Sequence, residues 1–181
     1  EFFTESKPMF TAVHVVGAIA GIGGALVSDI FFTFYSHDKK LVGRELRVLN
    51  ALSNIVWVSL VVIIISGIGI FLSNPATYST SGKFLAKMSI VLVLSVNGYL
   101  LHRVVKPHLT HRGFLNSPKE RRPRMVAFSC GAVSLISWLS VLALALIKNV
   151  SLAYGEIMSL YILVLTFSIT VALIVERRIS V

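Results

Sequence analysis

Five polar side chains stand inside long apolar runs of this sequence: His14, Asp29, Lys87, Asn97 and His102. An ionisable group in hydrocarbon costs about 3 kcal/mol even on insertion scales, so each ionisable one is a functional candidate until a partner explains it. A histidine can ligate haem iron, and a lysine can meet the anionic edge of a cofactor. On a helix, Gly17, Gly21, Gly24 and Ser28 lie within about 80° of the direction of His14. The first run therefore presents a histidine followed by a bare strip. A flat macrocycle ligated by His14 would lie on such a strip, and small residues at this spacing equally let two membrane helices approach closely.

Asp29 lies 15 residues further along the same run, roughly 22 Å at 1.5 Å per residue. A cap or an interfacial ion pair with Arg44 or Arg47 is its simplest use. In the third run Lys87, Val91, Leu94, Gly98, Leu101 and His102 share a face, with Asn97 at its edge, while Leu92, Ser95, Val96 and Leu100 look elsewhere. The stem of Lys87 is long enough to snorkel to water. His102 abuts Arg103 and reads also as an interfacial histidine.

The elements that must hold these residues follow from composition. Only 14% of the 181 residues are charged, against about 25% in a soluble domain. The apolar residues fall in five runs, at about 9–35, 48–72, 84–105, 125–147 and 157–175. A hydrocarbon core about 30 Å thick takes roughly 20 residues of helix. The chain 1–181 is thus expected to be one all-α integral membrane domain of five transmembrane helices. The first run is too long and too rich in glycine at its centre for a cleaved signal peptide.

Charge sets the orientation. Of 17 Lys and Arg, thirteen fall in 37–47, 103–124 and the tail; Lys7, Lys83, Lys87 and Lys148 fall at the opposite ends of the runs. The positive-inside rule puts the thirteen in the cytoplasm, with the N-terminus outside and the C-terminus inside, in the cell membrane. The same map argues against nucleic acid as a partner despite the net charge of +9, because the cations sit between apolar runs rather than in a stripe. The loop with Pro107, Pro118 and Pro123 is the longest and is expected to be the most mobile. Depth then sorts the candidates: His14 and Lys87 share an outer layer, Asp29 and His102 an inner one. His14 and His102 cannot ligate one haem.

Other signals are weak. His37, His108 and His111 belong to loops, and KPHLTHR (106–112) sets two histidines three apart without further ligands nearby. The single Cys130 excludes an internal disulfide and reads as a small buried thiol. No nucleophile–base pair is identifiable, and no proline falls within a run, where a transporter with broken helices would carry one. LSNIVWVSL (52–60) and VSLISWLSV (133–141) coincide at Ser53/Ser134, Ile55/Ile136, Trp57/Trp138 and Ser59/Ser140, as a duplicated helix pair or chance would give.

VHVVGAIAGIGGALVSDIFF (13–32), SGIGIFL (66–72) and KFLAKMSIVLVLSVNGYLLH (83–102) resemble a broad group of small bacterial membrane proteins. That group includes the copper-resistance CopD-like domains and the HemJ-type protoporphyrinogen oxidases. It carries H-x-x-G near the start of its first helix, a glycine late in the second and a lysine opening the third, matched here by His14 and Gly17, Gly67, and Lys87. The resemblance runs over about 13–105 and leaves the last two runs unmatched. It implies that His14 serves haem, with Lys87 beside it.

Three readings are open. In one, the protein binds haem b or a porphyrin in a redox or electron-transfer role. His14 is then the axial ligand, Gly17, Gly21 and Gly24 form the floor, and Lys87 meets an anionic edge. In another it is a non-catalytic subunit whose glycine and serine faces pack on further copies or other membrane subunits. In the third it carries a small ion or molecule on its buried polar groups, Asp29, Asn97 and His102 among them.

Overall fold

The computed structural model describes residues 2–37, 43–109, 114, 118–147 and 152–179. Among the described residues there is no strand, and five long helices dominate: α1 (Lys7–His37), α2 (Gly43–Ser73), α3 (Gly82–Leu100), α4 (Arg121–Leu146) and α5 (Tyr154–Ile179). With α3 counted through to Leu109, each is long and apolar enough to cross a membrane. Lys39, Lys40, His111, Arg112 and Lys148 lie outside the described residues.

The helices outrun the apolar segments. α2 begins at Gly43, so Arg44, Glu45 and Arg47 are already helical. The third helix also continues, through a π turn at Leu101–Val105 into a last α turn at Lys106–Leu109. Pro107 accounts for the wide turn: it has no N–H, and its ring would strike the carbonyl of Arg103 in a regular α-helix. Widening the turn lets the Lys106 N–H reach the Leu101 carbonyl instead. At the opposite end, Ser81 caps α3 by accepting from the Phe84 N–H at 3.3 Å.

α1 lies along α2, α3 along α4, and α4 touches both α5 and α1. The first seam is close because α1 offers glycine. A Cβ on Gly17 would sit 3.0 Å from Val62, one on Gly24 would sit 3.1 Å from Val56, and one on Gly21 would land on the indole of Trp138. The two tryptophans matched in the internal repeat each lie on a glycine, Trp57 on Gly98 of α3 and Trp138 on Gly21 of α1.

The buried line of α3 runs through Ala86, Ile90, Leu94 and Asn97. Lys87 and His102 flank that line rather than lead it, because Ala86 and Ile90 are the residues packed against Leu144, Ile157 and Tyr161. Leu92, Val96 and Leu100 face outward.

Large apolar side chains also face outward, and a few polar ones are buried within the apolar core. Ile19, Leu163 and Phe167 are 68%, 68% and 70% exposed, while Ser59, Ser66, Asn97, Arg124, Ser137 and Glu176 are buried. Hydrogen bonds tie the helices together. Asn97 donates to the Cys130 carbonyl at 2.9 Å, and the Tyr161 hydroxyl meets Ser137 at 2.8 Å. The helix ends meet in pairs: Lys83 of α3 donates to the Ile147 carbonyl at the end of α4, and Arg124 of α4 meets Glu176 of α5 at the other extremity. That second extremity also carries the described cations of 44–47, 103–124 and 177–178, and is called the charged end below.

Candidate functional site

At the charged end the helices do not close on one another, and a cavity of about 540 Å³ lies between them. Two features of the chain open it. Ala127, Gly131 and Ala132 set small residues among Phe128, Leu135 and Ile136 on the cavity face of α4, and the π turn in the third helix carries Leu101, His102 and Lys106 onto one wall. α1 and α2 add Ser28, Asp29, Thr33, Asn50 and Ser53, a largely polar side. The opposite side, from α4 and α5, is apolar except for Ser168.

Asp29 is the most demanding residue there. Its Oδ2 is buried and has no hydrogen-bond partner, and its Oδ1 lies 3.4 Å from where a Cβ on Gly131 would sit. The ion pair anticipated with Arg44 or Arg47 is not formed; among the described residues Asp29 pairs with no cation, because it faces the cavity rather than the rim. His102 is exposed at the mouth, and Lys106, one turn on, is half-buried beside it.

A clasp stands behind this wall. Phe114, Val105 and Ala127 form a small buried core, and the latter two line the cavity. Arg124 is only 3% exposed and Glu176 only 1%; they meet at 2.6 Å, and Arg124 also donates to the Phe114 carbonyl at 3.2 Å. Within the loop expected to be mobile, Phe114 is thus held by Arg124, while 110–113 and 115–117 lie outside the described residues. Sequence reasoning counted Arg124 among the loop cations and did not single out Glu176, an acid beside Arg177 and Arg178 just past the last apolar run. That isolation was the one available signal.

His14 belongs to the opposite half of the bundle. Its Nδ1 lies 3.0 Å from Ser66 Oγ and 3.1 Å from the Ile63 carbonyl. Ser66 spends its own hydrogen on carbonyls of its helix, closest at Val62, 2.6 Å away. Nδ1–H therefore donates to both, and the lone pair of the neutral ring sits on Nε2. The imidazole rests on Gly67, whose added Cβ would lie 3.5 Å from Cε1. Lys87 is close enough to act on His14 electrostatically.

A macrocycle laid on the Gly17, Gly21 and Gly24 strip does not fit. α2 covers the first and last of these glycines and Trp138 covers the middle one. Among the described residues no group of three or more His, Cys, Asp or Glu converges as a metal site. His108 instead meets Glu120 at 2.8 Å.

His14 thus joins α1 to α2, and the tie can be tested. His14→Ala and Ser66→Ala are each expected to destabilise the detergent-solubilised protein by about 1 kcal/mol, the scale of one interhelical hydrogen bond. The double variant should cost clearly less than the sum, since both remove the same contact. Additive losses in thermal unfolding would contradict the tie.

Comparison of the chain with protein-family models, curated proteins and solved structures finds no match.

Proposed function

We propose that the chain is a multi-pass protein of the cell membrane, with its N-terminus outside and its C-terminus in the cytoplasm, that binds a small, largely apolar molecule in the cavity at its cytoplasmic end. The observation that carries the binding reading is Asp29, whose buried Oδ2 has no hydrogen-bond partner, standing in a cavity with one polar and one apolar side. Sites for small organic molecules are cavities of about 300–1,000 Å³, apolar with a few convergent polar groups. A bare metal cation would instead want several oxygen ligands at close range, so this supports the small-molecule form of the carrier reading over the ionic one.

The orientation rests on the thirteen-to-four distribution of Lys and Arg. A reporter fused after Val181 should stay in the cytoplasm, and one inserted in 73–83 should be exported. Both on one side would overturn the five-span topology.

Cavity binding predicts that an apolar molecule co-purifies with the protein and is recovered by solvent extraction. Ala132→Trp, which fills the cavity from α4, should abolish that recovery while the fold is kept. Equal recovery from both proteins would contradict the proposal.

Haem stands second, on one observation. The fixed Nδ1 donor of His14 leaves Nε2 available, the arrangement of metal-ligating histidines. The haem would have to use that Nε2 edge rather than the glycine strip. It predicts a Soret band in protein from haem-replete cells, lost in His14→Ala and retained in His102→Ala. A colourless protein would eliminate it.

A further inference from the structure

Resting on the cavity reading, we infer that the occupant is a single-chain amphiphile whose head carries a basic nitrogen and, outside it, an acidic group. Four features of the cavity specify this order of groups.

The first is depth. Along α4 the cavity extends from Ala127, near the charged end, to Ile136, roughly 14 Å at 1.5 Å per residue. Asp29 stands beside Gly131, about midway, so the space has an outer half between Asp29 and the mouth and an inner half beyond it. Leu135, Ile136 and Phe167 line the inner half, with Ser168 beside them, a mainly apolar space that suits a tail.

The second is the demand made by Asp29. A carboxylate walled by Phe32 and Phe128 and lacking a protein donor is complementary to a protonated nitrogen or an N–H. The terminal torsion of an aspartate is soft, so either oxygen can turn toward such a donor. The third is the mouth. His102 and Lys106 face it, and neither makes an ion pair with a described residue. Arg44 and Arg47 flank the lining residue Leu46 in sequence, Arg103 follows His102, and their charge at this end favours approach by an anion.

The fourth is sidedness. Ser66, Ser95, Ser137, Thr166 and Thr170 each donate to a carbonyl of their own helix. Ser28, Asn50 and Ser53 on the polar wall make no side-chain hydrogen bond among the described residues, although they flank Asp29. Polar groups gathered on the α1 and α2 side, with a mainly apolar wall facing them, suit a molecule with a polar head and an apolar tail. The class is therefore a long-chain amine bearing a carboxylate or phosphate next to the nitrogen.

Titration calorimetry on the full chain in lipid nanodiscs tests this with three probes: α-aminododecanoic acid, dodecanoic acid and dodecylamine. The amino acid should bind at least tenfold more tightly than either of the others. Asp29→Asn, which keeps the shape of the side chain, should remove its advantage over dodecanoic acid. Lys106→Gln should remove its advantage over dodecylamine. Thermal unfolding of each variant establishes that the fold is retained. Equal affinity for all three probes, or a preference unmoved by Asp29→Asn, overturns the inference and leaves cavity binding standing. No binding of any probe to the folded protein overturns both.

Discussion

Glu176→Gln is expected to lower the melting temperature of the solubilised protein by on the order of 10 °C, corresponding to about 3–5 kcal/mol. The Arg124 guanidinium is 3% exposed and its ion-pair partner 1%, so removing one charge strands the other where water does not reach it. The same arginine holds the Phe114 carbonyl, so its disturbance should also release the buried core of Phe114, Val105 and Ala127 behind the cavity wall. Removing both charges is a different matter. Arg124→Met with Glu176→Leu replaces the pair by apolar volume and should be nearly neutral, because the desolvation cost of two ions offsets most of their attraction. Differential scanning fluorimetry of the two proteins separates these cases. A Glu176→Gln protein that melts like the wild type would show that the pair is wet and the clasp energetically idle.

Gly21→Leu should be the most damaging change in α1. A first side-chain carbon there already falls on the Trp138 ring, which is 3% exposed and packed with Ala25, Leu60, Ile63 and Leu94. Overpacking of this kind costs about 1–3 kcal/mol or more, and here it also separates α1 from α4. Val16 is 66% exposed, so Val16→Leu should stay within about 0.5 kcal/mol of wild type. Trp138→Leu combined with Gly21→Leu should recover part of the loss, the signature of two residues sharing one space. Size-exclusion chromatography and thermal unfolding report both effects. Equal tolerance of Gly21→Leu and Val16→Leu would place the glycine strip away from its neighbours.

The five helices were legible because runs of about twenty apolar residues between charged segments leave few other structures available. Their ends were less so. Apolar content marks what a bilayer could cover, whereas backbone hydrogen bonding continues into the charged segments, as at Arg44 and beyond Val105. The turn at Leu101–Val105 depends on how one helix accommodates Pro107, which composition does not express.

The glycine strip was visible at Gly17, Gly21 and Gly24, but not what covers it. That needed the register of α2 and the reach of a tryptophan more than a hundred residues away. Asp29 and His102 could be named one at a time from their polarity. The cavity they share depends on Gly131, Phe128 and Phe167, whose types carry no signal outside the assembled bundle. Arg124 and Glu176 were hidden for a further reason: an arginine in a basic loop is indistinguishable in sequence from one facing water.

The most direct test of cavity binding is an experimental map of the protein purified from its own membrane, in a nanodisc, by crystallography or antibody-fragment-assisted cryo-electron microscopy. The account predicts ordered non-protein density between Asp29, Phe128 and Lys106, with its polar end at the mouth and its tail toward Phe167. A cavity collapsed by contact of α1 and α2 with α4, with Asp29 turned to Arg44 or Arg47, would contradict it.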